Sequence, residues 1–348
     1  MGSFIIIHIC GDCKGGTEKY VRDLGHLFPQ YTHRVIHNLP FEVPNVHDIA
    51  LLHIHSVFFQ SNIGWEIMEI IALFKKYNIQ VYLTIHDYQW LFEQNAGIST
   101  IEDREKCVDL CNREKAQCLM NEVDRIFMPT QRVFDNYKYF MGILNTDKIY
   151  IVPHCDIPIR IQQLYIPESC DKIIHIAYIG TFNTYKGARL FLHLIYNLRN
   201  YFDYTIHYHI FGKYSPSESD NDLREYVHFH GAYNESTLVE DLYVNNIHII
   251  TSLSVLEETY CYALSLLINS GLPIVYLNRG SLRTRLTSEY PRMFPFENPS
   301  ESEIMQNMKT AIQYVIDNQG RRDLIKIPML TPMPNGVVLN EEYKQLYI

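Results

Sequence analysis

Short apolar runs and segments of helical spacing alternate along the whole chain. Phe4–Ile9 is apolar and β-branched, as a strand buried on both faces requires. Thr17–Phe28 then places Tyr20, Val21, Leu24, Leu27 and Phe28 at helical intervals. The same reading predicts strands at Ile49–Ile54, Gln80–Ile85, Arg125–Met128 and Ile149–Val152, with a helix over Trp65–Phe74. Farther along, strands are expected at Ile173–Ile179, Tyr204–Phe211, Val227–Phe229, Ile247–Thr251 and Pro273–Tyr276. Helices are expected at Ala188–Leu198, Glu235–Tyr243, Tyr260–Asn269 and Glu301–Asp317, with a short one at Glu341–Tyr347.

Alternating β and α segments imply parallel sheets flanked by helices. The predicted fold class is therefore α/β, with two Rossmann-like, doubly wound domains facing across a cleft. Pro153, Pro158 and Pro167 punctuate the stretch Pro153–Ser169, which reads as the boundary between the domains. Residues 1–160 form the first domain, 161–327 the second and 328–348 a tail with a terminal helix. Ligands of open parallel sheets sit beyond the carboxyl ends of the strands, so the loops after each strand are where chemistry is expected.

Composition narrows the function classes. The 348 residues suit two domains, and 47% hydrophobic residues suffice for two cores. A formal net charge of −9 argues against nucleic acid as partner. No apolar run reaches the ~20 residues of a membrane span, and Phe4–Ile9 is too short for a signal peptide. A cytoplasmic protein is expected, with contact at a membrane surface left open. The eight cysteines are scattered through a long chain, so reduced thiols are expected.

Several loops carry candidate chemistry. Gly15 and Gly16 precede the first predicted helix. They form either a turn that lets backbone N–H groups meet an anion or a plain turn with Thr17 as helix cap. The spacing lacks GxGxxG, which argues against a nicotinamide-dependent dehydrogenase. His86 ends a strand and either meets a ligand hydroxyl or is a structural residue held by Asp87. His53 and His55 share one strand face, and one of them is a candidate to line the cleft. Gly180 and Thr181 lead to Lys186 and a helix start, an order that suits a diphosphate. Glu257 and Glu258 read as the start of a helix after another strand. Asp220-Asn221-Asp222 lies in a polar run, Cys107, Cys111 and Cys118 lack paired spacing, and Cys10-x-x-Cys13 shapes a turn. No metal site is expected from any of them.

Taken in order, Gly15-Gly16-Thr17-Glu18, Thr84-Ile85-His86-Asp87, Gly180 with Lys186-Gly187, Glu257–Ser265 and Ser270–Val275 resemble the retaining GT-B glycosyltransferases of the group-1 type, glycosyltransferase family 4. The resemblance implies transfer of a sugar from a nucleoside-diphosphate donor to a glycan, lipid or protein acceptor, with retention and without a cofactor or metal. It makes the first domain the acceptor side and the second the donor side, with the tail helix crossing back onto the first. Lys186 would neutralise the diphosphate, backbone N–H groups near Thr259, Tyr260 and Cys261 would bind its phosphates, and Glu258, beside Glu257, would accept from sugar hydroxyls. His86 would contact the transferred sugar, and Gly15 and Gly16 would let a substrate approach. Two positions depart from the family. Thr181 stands where an arginine is common, and Leu266 where a glutamate grips the ribose. A non-catalytic sugar-nucleotide-binding protein is the alternative these departures imply.

Overall fold

The computed structural model describes residues 4–11, 15–39, 41–56, 63–92, 108, 111–142, 144–154, 159–168, 170–214, 225–286, 290, 292–320, 322–328 and 342–347. Cys13, Cys107, Cys155 and the Asp220-Asn221-Asp222 run lie outside the described residues. The chain divides into two compact units, Met1–Asp156 with Thr331–Ile348, and Ile157–Leu330.

Unit 1 runs β1 (Ile5–Cys10), α1 (Gly16–Leu27), β2 (Thr32–Ile36), β3 (Ile49–Ser56), α2 (Ile63–Lys76), β4 (Gln80–Thr84), α3 (Arg113–Glu122), β5 (Arg125–Met128), α4 (Gln131–Met141) and β6 (Ile149–Ile151). The strands pair in parallel in the order β2-β1-β3-β4-β5-β6. Every residue of β1 from Ile6 on is buried, as are all but Ala50 of β3. That burial on both faces is why their sequences are near-continuous apolar runs rather than alternating ones. β2, with His33 and Arg34 inside it, is an edge strand that the apolar pattern does not signal.

Unit 2 runs β7 (Ile159–Tyr165), β8 (Ile173–Ile179), α5 (Ala188–Asn197), β9 (Asn200–Tyr201), β10 (Tyr204–Phe211), β11 (Val227–Gly231), α6 (Leu238–Val244), β12 (Ile247–Ser252), α7 (Tyr262–Ser270), β13 (Ile274–Leu277), α8 (Gly280–Arg285), β14 (Met293–Phe296), α9 (Glu301–Asn318) and β15 (Arg322–Pro328). The main sheet has the order β11-β10-β8-β12-β13-β14, with β9 antiparallel at β10. Alternate residues feed two cores. Ile174, Ile176, Tyr178, Ile206, Tyr208 and Ile210 meet residues of α5 and α9 on one face. Ala177, Ile179, Phe211, Ile247 and Ile250 meet α6, α7 and α8 on the other. Helices on both faces and this strand order make the unit doubly wound, as predicted.

The boundary between the two units, after Asp156, falls within Pro153–Ser169. That stretch contains β7, which pairs antiparallel with β15 from Ile159↔Pro328 to Tyr165↔Arg322. The last helix, α10 (Tyr343–Leu346), lies in unit 1. Its neighbour Tyr347 stacks on Phe28 at 4.7 Å and contacts Tyr82 and Phe127. Among the described residues no helix is long and apolar enough to cross a membrane.

Histidines occupy an unusual share of unit 2's sheet. His175, His207, His209, His228, His230 and His248 lie on β8, β10, β11 and β12, with His175 2.8 Å from His209 and His209 2.9 Å from His230. Burial, then the neighbouring imidazoles His175, His228, His230 and His207, holds His209 down to about 2. Burial, then His175, holds His248 down to about 3. Below the ordinary value near 6.5 the unfolded chain therefore binds protons that the folded chain refuses. Stability is complete above that value and falls with pH toward the folded values. Between pH 7 and 5 each group removes about 2 kcal/mol, roughly 4 kcal/mol for the pair. Urea unfolding followed by circular dichroism is expected to show this loss on top of that from the other buried histidines, and a His209→Gln chain to lose about 2 kcal/mol less over the same window.

Candidate active site

The strand order of unit 2 reverses between β8 and β12, and the loops beyond their carboxyl ends open where such sheets bind ligands. After β8, Gly180, Thr181 and Phe182 lead to Asn183. The Asn183 side chain accepts from the Lys186 amide at 2.9 Å and caps one tight helical turn, Thr184–Lys186. The Tyr178 hydroxyl lies 2.8 Å from the Lys186 carbonyl and 3.0 Å from that of Thr181, and donates to one at a time. Gly187 then turns left-handed, with φ 84°. A Cβ there would fall 2.1 Å from the carbonyl oxygen of Leu253. Only glycine allows this approach, which presses the loop after β8 onto the segment after β12.

The segment after β12 corrects the sequence reading. Glu257 and Glu258 do not start a helix; α7 begins at Tyr262, with Cys261 as a left-handed N-cap at φ 62°. Glu257, Glu258, Thr259, Tyr260 and Cys261 form a loop, so the helix dipole does not explain the two acids. Glu257 is buried, and its carboxylate accepts from the Gly280 amide at 3.1 Å. The Ser281 amide donates to the Glu258 carbonyl at 2.7 Å. Thr259 and Tyr260 are buried as well.

Arg285, which the sequence reading missed, holds this loop from below. It donates to the carbonyls of Tyr260 and Cys261, both at 2.7 Å, and to the Ser265 hydroxyl. Its guanidinium lies 4.1 Å from the centre of the Tyr260 ring, within cation–π range. No periodic pattern links positions 260 and 285, so only the fold reveals the pair. Leu266 is half-buried and packs against the second core of the unit.

The loops bring Lys186 and Glu258 into an ion pair. Burial pushes the Glu258 carboxyl up, but the Lys186 ammonium and the hydrogen bonds from Lys186 and Ser254 outweigh it and leave the group below its usual range. Burial pulls Lys186 down, and Glu258 more than restores it. The Lys186 side chain stays 39% exposed, so an incoming anion can reach it. Beside this loop lies a depression of about 540 Å³ lined by Phe182, Lys213, Tyr214, Gly231 and Ala232. Phe182 meets Tyr214 edge-on at 4.9 Å, and Tyr214 stacks on Phe229 at 5.0 Å.

In unit 1, Gly15 and Gly16 are exposed at the start of α1. Gly15, not Thr17, is the N-cap, and Thr17 lies inside the helix. His86 is not held by Asp87. Its Nε2 lies 3.1 Å from Nδ1 of His55, while Asp87 accepts from the Gln89 amide at 2.8 Å. Burial pushes Asp87 up to about 6, against the pull of that amide. His53 and His55 are both fully buried, so neither lines an open surface.

The histidines form a chain whose tautomers follow from its end. His33 Nε2 lies 3.1 Å from the Phe28 carbonyl, which can only accept. A neutral His33 therefore accepts at Nδ1 from His8 Nε2–H at 2.9 Å. His8 Nδ1 accepts from His55 Nε2–H at 3.0 Å, and His55 Nδ1 from His86 Nε2–H. His86 is left with an unprotonated Nδ1, an acceptor, and burial holds it down to about 3.

No family model matches the sequence. No curated protein matches it either. Solved structures do. HepE of Anabaena in complex with UDP-glucose is 12% identical, with a TM-score of 0.58 over 90% of this chain and 90% of its own. A glycosyltransferase from Rickettsia africae is 11% identical, with a TM-score of 0.58 over 92% and 95%. The apo form of the lipopolysaccharide outer core galactosyltransferase WaaB is 14% identical, with a TM-score of 0.56 over 89% and 90%.

The fold is that of the GT-B glycosyltransferases. At these identities the GT-B likeness speaks for architecture, and the residues must speak for chemistry.

Replacing Gly187 by alanine is expected to destabilise unit 2 by about 3 kcal/mol or more, because backbone must shift. Gly231 also has positive φ, at 75°, but open space around a Cβ. Gly231→Ala is expected to cost only about 1 kcal/mol. Urea unfolding of the two chains measures the difference.

Proposed function

We propose that the chain is a glycosyltransferase that moves a sugar from a nucleoside diphosphate to a glycan, lipid or protein acceptor with retention of configuration, using no metal at the diphosphate. The Lys186–Glu258 pair at the strand-order reversal of unit 2 carries this reading. A diphosphate arriving at Lys186 takes over the ammonium and frees the Glu258 carboxylate to accept from sugar hydroxyls. The loop from Glu257 to Cys261 offers backbone N–H groups to the phosphates, and Arg285 fixes its conformation. The aromatic-lined depression beside Phe182 and Tyr214 suits a nucleobase. Its Lys213 supplies a cation near the site where Thr181 supplies none.

Catalysis on this reading is positioning and stabilisation of charge on the departing diphosphate. The leaving phosphate takes the acceptor proton. The unprotonated Nδ1 of His86 is an acceptor for a sugar hydroxyl. HepE and WaaB, whose structures bear the names of a UDP-glucose complex and a galactosyltransferase, make uridine diphosphate sugars the first donors to test.

The alternative is a sugar-nucleotide-binding protein without turnover. Leu266, packed toward the core, favours it, since a leucine cannot pair two ribose hydroxyls and leaving them unpaired costs ~1–3 kcal/mol.

Calorimetry with uridine, guanosine and deoxythymidine diphosphates, followed by donor hydrolysis assays, tests both. Lys186→Ala is expected to weaken diphosphate binding about 30-fold or more. Glu258→Gln is expected to keep diphosphate binding within a few-fold and to lower kcat about 100-fold. Binding without turnover of any sugar donor favours the alternative, and absence of binding defeats both. The anomeric configuration of the product, read by proton NMR, tests retention.

A further inference from the structure

We propose that His8, His53 and His55 in unit 1 form a binding site for one divalent cation of the zinc class. All three side chains are fully buried, at 0% exposure. One ring nitrogen from each lies within 4.8 Å of the others. The sheet, not a loop, fixes their spacing. His53 and His55 are two residues apart on β3 and share a face, and His8 of β1 is the register partner of His53. The His53 and His55 rings are 4.0 Å apart.

The donor set fits a borderline metal. Imidazole nitrogens suit zinc, cobalt, nickel and copper, and a tetrahedral site with metal–nitrogen bonds of about 2.05 Å separates its ligand nitrogens by about 3.3 Å. His8 Nδ1 and His55 Nε2 are already 3.0 Å apart. Burial first, then the charges the neighbouring histidines would carry, keeps all three rings neutral, so each has a lone pair to give. Among the described residues no fourth histidine, cysteine or acid joins the group, which leaves one position to water or an anion.

The outer partners decide in favour of a built site. Metal-bound histidines donate their second N–H to a fixed acceptor. His8 Nε2–H has one in His33 Nδ1, which is anchored in turn on the Phe28 carbonyl. His55, bound through Nε2, turns its proton to Nδ1 and donates to His86 Nε2 at 3.1 Å. His53 keeps Thr84 at 2.8 Å or Tyr347 as its partner, depending on which nitrogen it gives. Loading thus needs a tautomer change at His55 and His86 and the release of one of the two His53 hydrogen bonds, to Thr84 or to Tyr347; no proton leaves the site. The same change turns His86 Nδ1 from an acceptor into a donor, so occupancy sets the hydrogen-bonding sense of a residue in the loop just beyond β4.

The test uses the full chain without an affinity tag, stripped with chelator and titrated with ZnCl2 or CoCl2. Stoichiometric Zn2+ is expected to survive gel filtration, and Co2+ to give the visible absorption of a four-coordinate site. The two tryptophans, Trp65 and Trp90, both belong to unit 1. Their fluorescence is expected to report an unfolding temperature raised by about 5 °C or more at a hundredfold excess of Zn2+ over Kd. His8→Asn and His55→Asn should each abolish stoichiometric retention, and His209→Asn in unit 2 should leave it intact. His33→Asn, which removes only an outer partner, should weaken Zn2+ affinity about 10–100-fold. Failure of the unmodified chain to retain Zn2+ overturns the proposal, whatever the variants do. So does full retention by both the His8→Asn and His55→Asn chains. Metal content is read without any sugar donor, so this outcome and that of the transferase reading are independent.

Discussion

Parallel pairing of β8 with β12, where the strand order of unit 2 reverses, is the constraint on which the candidate site depends. The two strands run side by side, so their carboxyl ends emerge together while their helices leave for opposite faces. Lys186 and Glu258 lie in loops 72 residues apart in sequence, and this pairing brings those loops to the same edge of the sheet. Gly187 and Gly280 then let backbone approach backbone where any Cβ would collide. The pair is therefore a product of sheet topology and two close contacts, not of either loop by itself.

An ion pair at such a place contributes little to stability. Its lysine is partly open to water, so the net worth of the contact is small once desolvation and side-chain entropy are counted. Its value lies in holding a cation and a carboxylate in position before a ligand arrives. Around it the structure spends polar groups on the backbone. Arg285 satisfies the carbonyls of Tyr260 and Cys261, and the Glu257 carboxylate satisfies the Gly280 amide. Polar side chains at these buried positions replace the regular ladder that a loop lacks.

Unit 1 poses a different physical problem. Its central strands place imidazoles where apolar side chains would ordinarily sit, and a buried imidazole must pair both nitrogens. The sheet solves this by linking His33, His8, His55 and His86 end to end from one backbone carbonyl. Tyr347, from the far end of the chain, closes over His53, so the terminal segment completes the core of the unit that begins the sequence.

Some of this was legible in the chain itself. Near-continuous apolar runs announce buried parallel strands, and Arg125–Met128, Ile173–Ile179 and Tyr204–Phe211 coincide with the strands observed. Period-two and helical spacing report burial directly, so the α/β class followed from sequence. The edge strand β2 escaped because a largely exposed strand has no apolar signature. The loop Glu257–Cys261 was misread as a helix because acids before an apolar run look like a first turn. Lys186 and Glu258 could be named from their loops, as could His86. Their partners could not. Which carbonyls Arg285 reaches, and which histidine holds His86, are decided by strand order and close approach between distant segments, and one-dimensional periodicity carries no information about either.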